Sequence, residues 1–267
     1  MNTTIKNIVL VGAGNVATHL GIALKKRGYR IIQVFSRTNK SAQELAGKLD
    51  TAYITKLTEL DYSADLYLFC LKDDILPEVL KQTLFTDQIL VHTAGSLPLD
   101  IFKDSGVHFG VIYPVQTFIK ERNLDLTNVP FCVEASSPYA ENILVDVASE
   151  LSQKVEVVDS EKRKIIHLAA IFACNFTNHM YLLADRLMRE NGLDFDLLKP
   201  LIQETAAKIM EIDPETAQTG PAKRGDNQII EDHLQLLKDS PGMQKIYTFV
   251  SDSILKSGIN GKTNKIT

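Results

Sequence analysis

The sequence predicts an α/β fold in which a doubly wound parallel sheet is followed by an all-helical second half. Three observations predict this: short apolar runs alternate with helical patterns over the first 160 residues, a glycine-rich turn follows the first apolar run, and every later pattern is helical. Strands that alternate with helices are typical of βαβ units in a sheet covered on both faces. We therefore expect one domain in residues 1–160 and an all-α domain in residues 161–267.

The pattern resolves into eight strands and eight helices. The predicted strands are residues 7–11, 31–35, 52–54, 66–71, 88–92, 108–112, 131–134 and 155–158. The predicted helices are residues 16–27, 41–49, 76–82, 138–152, 161–190, 195–212, 226–238 and 241–257. The 161–190 helix spans roughly 45 Å at about 1.5 Å per residue. Because so long a helix usually crosses a domain or dimer interface, we expect a homodimer formed through the helical domain.

Composition excludes several classes of protein. The chain has 267 residues, of which 45% are hydrophobic and 23% are charged. These proportions are typical of globular rather than disordered chains. A net charge of −4 offers no positive field to nucleic acid or to an anionic membrane surface, and no apolar run is long enough to span a membrane. Three separated cysteines without a CxxC pair indicate reduced thiols and the cytoplasm. No HExxH or HxxxH pattern occurs, so no metal site is expected.

A glycine-rich turn carries the most specific signal. The run Gly12-Ala13-Gly14-Asn15-Val16-Ala17 fits G-x-G-x-x-A, directly after an apolar strand and at the start of a helix. Gly12 permits the tight turn, Gly14 lets the backbone approach a pyrophosphate, and Ala17 allows close packing of helix and strand. The helix N-terminus then offers unpaired N–H groups to the phosphates. We therefore predict that residues 1–160 form a dinucleotide-binding Rossmann domain.

The end of the second strand predicts which dinucleotide binds. NAD-binding domains carry an acidic residue there, about 20 residues after the glycine turn, which holds the ribose 2′-hydroxyl. This chain has Ser36-Arg37-Thr38 instead. Arg37 is suited to a forked bond with a 2′-phosphate, and the two hydroxyls are further donors. The pattern predicts NADP(H), with a solvated surface arginine as the alternative explanation.

Three further strand ends are candidates, because ligands of open α/β sheets bind at the carboxyl ends of strands. The residues expected at the cofactor, after the fourth and fifth strands, are Leu71, Lys72, Thr93 and Ala94. Tyr113 and Gln116 follow the sixth strand and are expected to line a substrate cleft. The alternative for each segment is an ordinary strand-to-loop transition.

Polar side chains interrupt the apolar face of the 161–190 helix. At about 100° per residue, Asn178 lies about 20° from His167 around the axis and Asn175 about 80° from it. Buried polar groups without partners cost about 1–3 kcal/mol each, so these groups should face a partner, a ligand or water. We predict that His167 is a general acid or a donor to the substrate, with Asn175 and Asn178 orienting a carbonyl or hydroxyl. A hydrogen-bonded network at a helix or dimer contact is an equally open alternative.

A later loop, residues 219–226, contains two glycines and a proline that fix its backbone. Its basic pair, Lys223 and Arg224, is a candidate for binding an anionic substrate. A structural turn at a dimer contact, with the basic pair exposed, is the alternative that we slightly favour.

Together these motifs resemble an uncharacterised Rossmann-like family labelled NADP oxidoreductase. This family lies within the superfamily that includes 6-phosphogluconate, pyrroline-carboxylate and prephenate dehydrogenase-like proteins. The resemblance rests on the glycine turn, on residues 92–96, 113–118 and 167–175, and on the loop at 219–226. It implies an active site between a Rossmann domain and helices that build a dimer.

The resemblance is incomplete on the long helix. The hydroxyacid branch of the superfamily carries a catalytic lysine where Asn175 stands. The prephenate dehydrogenase branch places a histidine eight positions before a polar residue, as His167 and Asn175 are here, but it has an aspartate where this chain has Leu168 and it typically uses NAD. The resemblance therefore implies the reaction class and not the substrate.

These expectations combine into a cytoplasmic NADP-dependent oxidoreductase. It would transfer a hydride between NADP(H) and a small carbonyl, imine or hydroxy substrate. The alternative is a non-catalytic dinucleotide-binding sensor or partner-binding module, which the missing lysine favours. Hydride exchange with a deazaflavin is a third option that no residue of the sequence tests.

Overall fold

A computed structural model describes residues 5–105 and 108–263 of the chain, with side chains described as far as residue 257. The chain divides into two compact units between Phe176 and Thr177. This division falls within the long helical stretch, whereas the alternating pattern of strands and helices ends near residue 160. The domain boundary at residue 160 stays a prediction.

The N-terminal unit is built on an eight-stranded sheet, which confirms the predicted doubly wound fold. Its strands are β1 Asn7–Val11, β2 Arg30–Phe35, β3 Ala52–Ile54, β4 Leu66–Phe69, β5 Ile89–His92, β6 His108–Pro114, β7 Phe131–Ala135 and β8 Val155–Val157. Their order is β3-β2-β1-β4-β5-β6-β7-β8. The strand order reverses between β1 and β4, and open α/β sheets bind ligands at the carboxyl end of that point.

One pairing departs from the parallel sheet that the sequence predicts. Strand β7 runs antiparallel to β6, with Tyr113 opposite Cys132, while β8 is parallel to β7. A parallel neighbour needs a crossover, usually a helix, to carry the chain back. The segment between β6 and β7 contains no helix in the structure, so the chain returns in the opposite direction.

Helices cover both faces of the sheet. They are α1 Asn15–Lys26, α2 Asn39–Leu49, α3 Leu76–Leu80 and α4 Pro138–Leu151. The side chains of β1 alternate between two apolar clusters: Ile8 and Leu10 pack on the side of α1, α2 and α4, while Val9 and Val11 pack on the side of α3. Burial on both faces explains why the strands read as continuous apolar runs.

The second half of the chain is helical, as predicted. Its α-helices are α5 Ser160–Ala170, α6 Thr177–Glu190, α7 Lys199–Glu211, α8 Pro214–Ala217, α9 Pro221–Arg224, α10 Asn227–Leu236 and α11 Pro241–Thr263. Asp159 caps α5 by accepting a hydrogen bond from the Lys162 N–H at 2.8 Å. Between α5 and α6, Ile171–Phe176 form a π-helical segment that the sequence pattern did not predict. No helix among the described residues is long and apolar enough to cross a membrane.

Candidate active site

The glycine turn lies where the strand order reverses, and its geometry fits a dinucleotide. Gly12 has φ +118°, and a Cβ there would lie 2.4 Å from the Cys70 carbonyl oxygen after β4. Only glycine tolerates both constraints. Gly14 precedes α1 as its N-cap, and a Cβ at this exposed position would meet nothing within 4 Å. The N-terminus of α1 is therefore open to a pyrophosphate.

The other members of the motif hold this turn in place. Ala13 and Ala17 are buried in the apolar cluster beneath α1, and Val16 packs against the same cluster. Asn15 donates from Nδ2 to the Phe118 carbonyl oxygen at 2.7 Å, which ties the start of α1 to the segment after β6. The motif thus divides into residues that pack and a backbone that remains accessible.

The predicted 2′-phosphate group of residues follows β2. Ser36 is half-buried and accepts a hydrogen bond at Oγ from the Thr38 N–H at 3.3 Å, while Arg37 and Thr38 are exposed. Within the described part of the chain, Arg37 has no ion-pair partner. A free guanidinium beside two hydroxyls suits a phosphate, and a solvated surface arginine would look the same.

The loops after β4 and β5 are joined to each other. Thr93 is buried and donates through both its N–H (3.2 Å) and its Oγ1 (3.4 Å) to the Phe69 carbonyl oxygen. At the outer end, the Ser96 hydroxyl donates to the Asp73 carboxylate. Leu71 packs partly into the core, Lys72 is exposed and Ala94 is half-buried. The structure therefore brings the predicted cofactor residues of these two strand ends together.

The buried His92 ring holds the backbone of the loop after β5. Its ring is 1% exposed, and Nδ1 accepts a hydrogen bond from the Ala94 N–H at 3.2 Å. Burial, reinforced by the positive charge of Arg163, lowers the pKa of His92 to about 3. The ring is therefore neutral at physiological pH and fixes the turn that carries Ala94.

His167 lies directly on this loop. A Cβ at the buried Gly95 would come within 2.7 Å of His167 Cγ and Nδ1, so the ring packs against the bare backbone of the loop. The Tyr113 hydroxyl, at the end of β6, lies 3.1 Å from His167 Nδ1. Three segments that are distant in sequence thus meet: the loop after β5, the end of β6 and helix α5. Tyr113 contacts His167 through its hydroxyl, and its place in a substrate cleft stays a prediction.

A buried ion pair that sequence reasoning missed holds α5 in this position. Arg163 is the largest fully buried side chain, at 0% exposure, and it forms a salt bridge with Glu134 at the end of β7. The guanidinium also donates to the Leu97 carbonyl oxygen and to Ser160 Oγ. The Glu134 carboxylate in turn accepts from the Ser160 N–H at 2.9 Å. Helix α5 is thereby fastened both to the sheet and to the loop that carries Gly95.

The sequence contained one signal for the position of Arg163, which is its spacing from His167. Arg163 stands four residues before His167, and residues four apart on a helix share a face. Lys162 and Lys164 flank it and pair with Asp159 and Glu161 at the surface, so the whole run resembles an exposed basic segment. Only burial distinguishes Arg163 from its neighbours.

The π-helical segment changes the predicted arrangement of Asn175 and Asn178. A helix with i→i+5 hydrogen bonds has about 4.4 residues per turn, or roughly 80° per residue. Counted with that value from Ile171, Asn175 falls within roughly 20° of His167 around the axis, not about 80°. The small offset predicted for Asn178 assumed an uninterrupted α-helix, and this assumption is wrong. Both asparagines are exposed.

The remaining predicted substrate residues make local contacts. Gln116 is exposed, and its Oε1 accepts from the Thr117 N–H at 2.8 Å. In the C-terminal unit, Arg224 donates from Nε (2.9 Å) and Nη2 (2.8 Å) to Asp226 Oδ2, while Lys223 is exposed. Its ion pair with Asp226 orients Arg224 within its own turn. Among the described residues, no group of three or more His, Cys, Asp or Glu side chains is placed to hold a metal ion.

Two family models match successive parts of the chain. Residues 7–95 match the family described as NADP oxidoreductase, coenzyme F420-dependent. Residues 129–254 match a domain of unknown function, DUF2520. None of the curated proteins matches the chain.

Solved structures extend the likeness over nearly the whole chain. A protein from Bacteroides fragilis, described as a candidate NADP oxidoreductase, is 46% identical, with 94% of this chain and 98% of that chain covered and a TM-score of 0.89. A Thermotoga maritima protein is 26% identical, with 96% and 99% covered and a TM-score of 0.70. An imine reductase from Myxococcus stipitatus, in complex with NADP+, is 16% identical, with 94% and 92% covered and a TM-score of 0.63; this similarity is one of fold.

Proposed function

Because the chain belongs to the family that joins an NADP oxidoreductase domain to this domain of unknown function, we propose that it transfers a hydride between NADP(H) and a small carbonyl, imine or hydroxy substrate. The class is that of an NADP-dependent oxidoreductase, and NADP is the cofactor of the family. The substrate type is our inference from the site. The observation that carries it is His167, which lies on the loop after β5 with Tyr113 at its Nδ1.

The cofactor would be held by backbone at one end and by charge at the other. The exposed Gly14 backbone and the α1 N-terminus suit the pyrophosphate. Arg37, with Ser36 and Thr38 beside it, suits the 2′-phosphate that distinguishes NADP from NAD. A charged hydrogen bond contributes roughly 1.5–3 kcal/mol, which corresponds to a preference of about tenfold or more. The joined loops after β4 and β5 would support the nicotinamide half.

The chemistry of the site follows from what its residues offer. Bound NADPH would supply the hydride that adds to the carbon of a C=O or C=N group. The electron pair of that double bond moves onto the oxygen or nitrogen, which takes up a proton and becomes an alcohol or an amine. His167 serves the reacting oxygen or nitrogen, as a general acid or as a hydrogen-bond donor. Asn175, close to the same helix face, would orient the substrate.

Calorimetric titration with NADPH and NADH, followed by a turnover screen, tests this proposal. We expect micromolar NADPH binding, at least tenfold tighter than NADH, with the preference lost in Arg37→Ala. Lys40→Ala is the matched control, since Lys40 is exposed nearby and is paired with Glu44 at 3.9 Å. Oxidation of NADPH by cyclic imines or small ketones should fall at least a hundredfold in His167→Ala.

Three results would count against the proposal. Full turnover in His167→Ala would remove its assigned role. NADPH binding without oxidation by any carbonyl or imine compound would favour a dinucleotide sensor. Turnover only with coenzyme F420 as the hydride partner would favour the deazaflavin chemistry named in the family description.

A further inference from the structure

We infer that Tyr113 is a positioning residue that holds the neutral form of His167 in the tautomer with its hydrogen on Nε2. The inference rests on the proposed function only for its consequence, which is that the reacting atom of the substrate must be a hydrogen-bond acceptor. Its physical basis is the contact between the Tyr113 hydroxyl and His167 Nδ1.

The contact is well defined from both sides. The hydroxyl oxygen lies 3.1 Å from Nδ1, and the two rings meet edge to face at 80° with centroids 5.8 Å apart. Tyr113 is 8% exposed, so most of its side chain is withdrawn from bulk water. The ring of His167 is fixed from below because it packs on Gly95.

The direction of the hydrogen bond follows from what the tyrosine needs. Burial raises the pKa of Tyr113, so its hydroxyl keeps its hydrogen at physiological pH. Buried hydroxyls are almost always hydrogen-bonded, and the described residues provide no other acceptor within bonding distance of this one. Tyr113 must then donate, and Nδ1 must accept. A neutral imidazole that accepts at Nδ1 carries its hydrogen on Nε2.

The charged and titratable groups that face this pair come from α5, from β7 and from the π-helical segment. Arg163 lies one turn before His167 on α5, but its charge is balanced by Glu134. Cys132, opposite Tyr113 on β7, has its pKa raised by burial and stays a neutral thiol. Cys174, in the π-helical segment, is a further group that raises the pKa of Tyr113. The loop after β5 contributes the uncharged Gly95.

An N–H group at Nε2 restricts the substrate. It can donate a hydrogen bond to a carbonyl oxygen or an imine nitrogen and polarise the double bond toward hydride attack, as neutral histidines do in other enzymes, while water supplies the proton that the product takes up. It cannot take the proton from an alcohol or an ammonium group. Within the proposed function, this tautomer suits a substrate whose reacting atom accepts a hydrogen bond, as a carbonyl oxygen or an imine nitrogen does.

The tautomer can be measured without any substrate. In protein labelled with 15N-histidine, at alkaline pH, long-range 1H–15N correlation distinguishes a protonated ring nitrogen from a bare one. The chain has six histidines, and His167→Gln identifies the relevant signals. We expect a protonated Nε2 and a bare Nδ1 in the native protein, and loss of this preference in Tyr113→Phe.

Tyr67→Phe is the matched control. It also removes a buried tyrosine hydroxyl, which there donates to the Asp61 carbonyl oxygen, and it should leave the His167 signals unchanged. A hydrogen on Nδ1 in the native protein, or an unchanged tautomer in Tyr113→Phe, would overturn the inference. The expected tautomer in a protein that oxidises no NADPH would instead overturn the proposed function and leave the role of Tyr113 standing.

Discussion

The burial of His92 shows how much a single residue depends on its surroundings. The residue ends a strand that is buried on both faces, and its ring packs against Phe102 at 5.6 Å between centroids. The buried ring accepts a hydrogen bond from the Ala94 N–H. Burial also lowers the pKa of His92, so the ring is a very weak base. The imidazole of His92 therefore takes up a proton near neutral pH in the unfolded chain, but it stays uncharged at that pH in the folded chain.

This burial predicts acid sensitivity. Between the usual histidine pKa of about 6.5 and the folded value of about 3, the unfolded chain binds a proton that the folded chain does not. The contribution of the neutral, buried His92 to the free energy of unfolding is therefore intact above about pH 6.5 and is lost as the pH falls toward 3. From pH 7 to pH 5 the loss should be about 2 kcal/mol.

Urea unfolding at both pH values measures the effect. The urea midpoint of the native protein should fall more between pH 7 and pH 5 than that of His92→Gln. The exposed His179 supplies the control, because His179→Gln should keep the native pH dependence. Equal pH dependence in the native protein and His92→Gln would contradict the prediction.

At the scale of elements, α5 is attached both by a buried ion pair and by the apolar packing of Ile166 against the cluster of Val111, Tyr113 and Cys132. Arg163 is the one fully buried residue of this helix, and its partners come from β7 and from the loop after β5. Beyond α5, the π-helical segment resets the angular position of the residues that follow. π-Helical turns are rare and often lie at functional sites. Here the segment brings Asn175 close to the face of His167.

Removal of the buried arginine should be costly. Arg163→Met leaves the Glu134 carboxylate without its counter-charge, and loss of one partner of a buried ion pair costs about 3–5 kcal/mol. Chemical denaturation followed by circular dichroism measures the loss. Lys164→Met removes a cation from the surface of the same helix and should cost less than about 1 kcal/mol.

The double variant Arg163→Met/Glu134→Leu separates charge from packing. It should recover most of the stability lost in Arg163→Met, since it removes the uncompensated carboxylate as well. No recovery would mean that the hydrogen bonds of Ser160 and Leu97, rather than the ion pair, hold the helix.

At the scale of the whole molecule, the C-terminal unit leaves an unusual amount of apolar surface uncovered. Helices α6, α7 and α10 contain no fully buried residue. Large side chains remain in solvent, including Leu236 at 80% and Phe249 at 77% exposure. Large exposed apolar surfaces often mark a protein interface. We therefore retain the proposal of a homodimer formed through the helical domain.

Sedimentation equilibrium tests this proposal. We expect twice the chain mass of 29.7 kDa for the native protein. Phe249→Glu should shift the distribution toward monomer, because it places a charge on the apolar helical surface. Leu84→Glu, at an equally exposed position of the N-terminal unit, should leave the mass unchanged. A monomeric native protein would refute the proposal.

The sequence by itself determined the sheet and the glycine turn, because these depend on local spacing and on the period of apolar residues, and it predicted NADP as the cofactor. The antiparallel direction of β7 was not predicted, although the sequence pattern already showed no helix between the sixth and seventh strands. Only the tertiary structure placed Tyr113 and Gly95 against His167 and buried Arg163 beneath them. The contacts with His167 join residues 54 and 72 positions apart, and a π-helical segment altered the angular spacing on which the helical prediction relied. Chemistry that depends on such contacts is decided by packing, because burial changes what a titratable side chain can do.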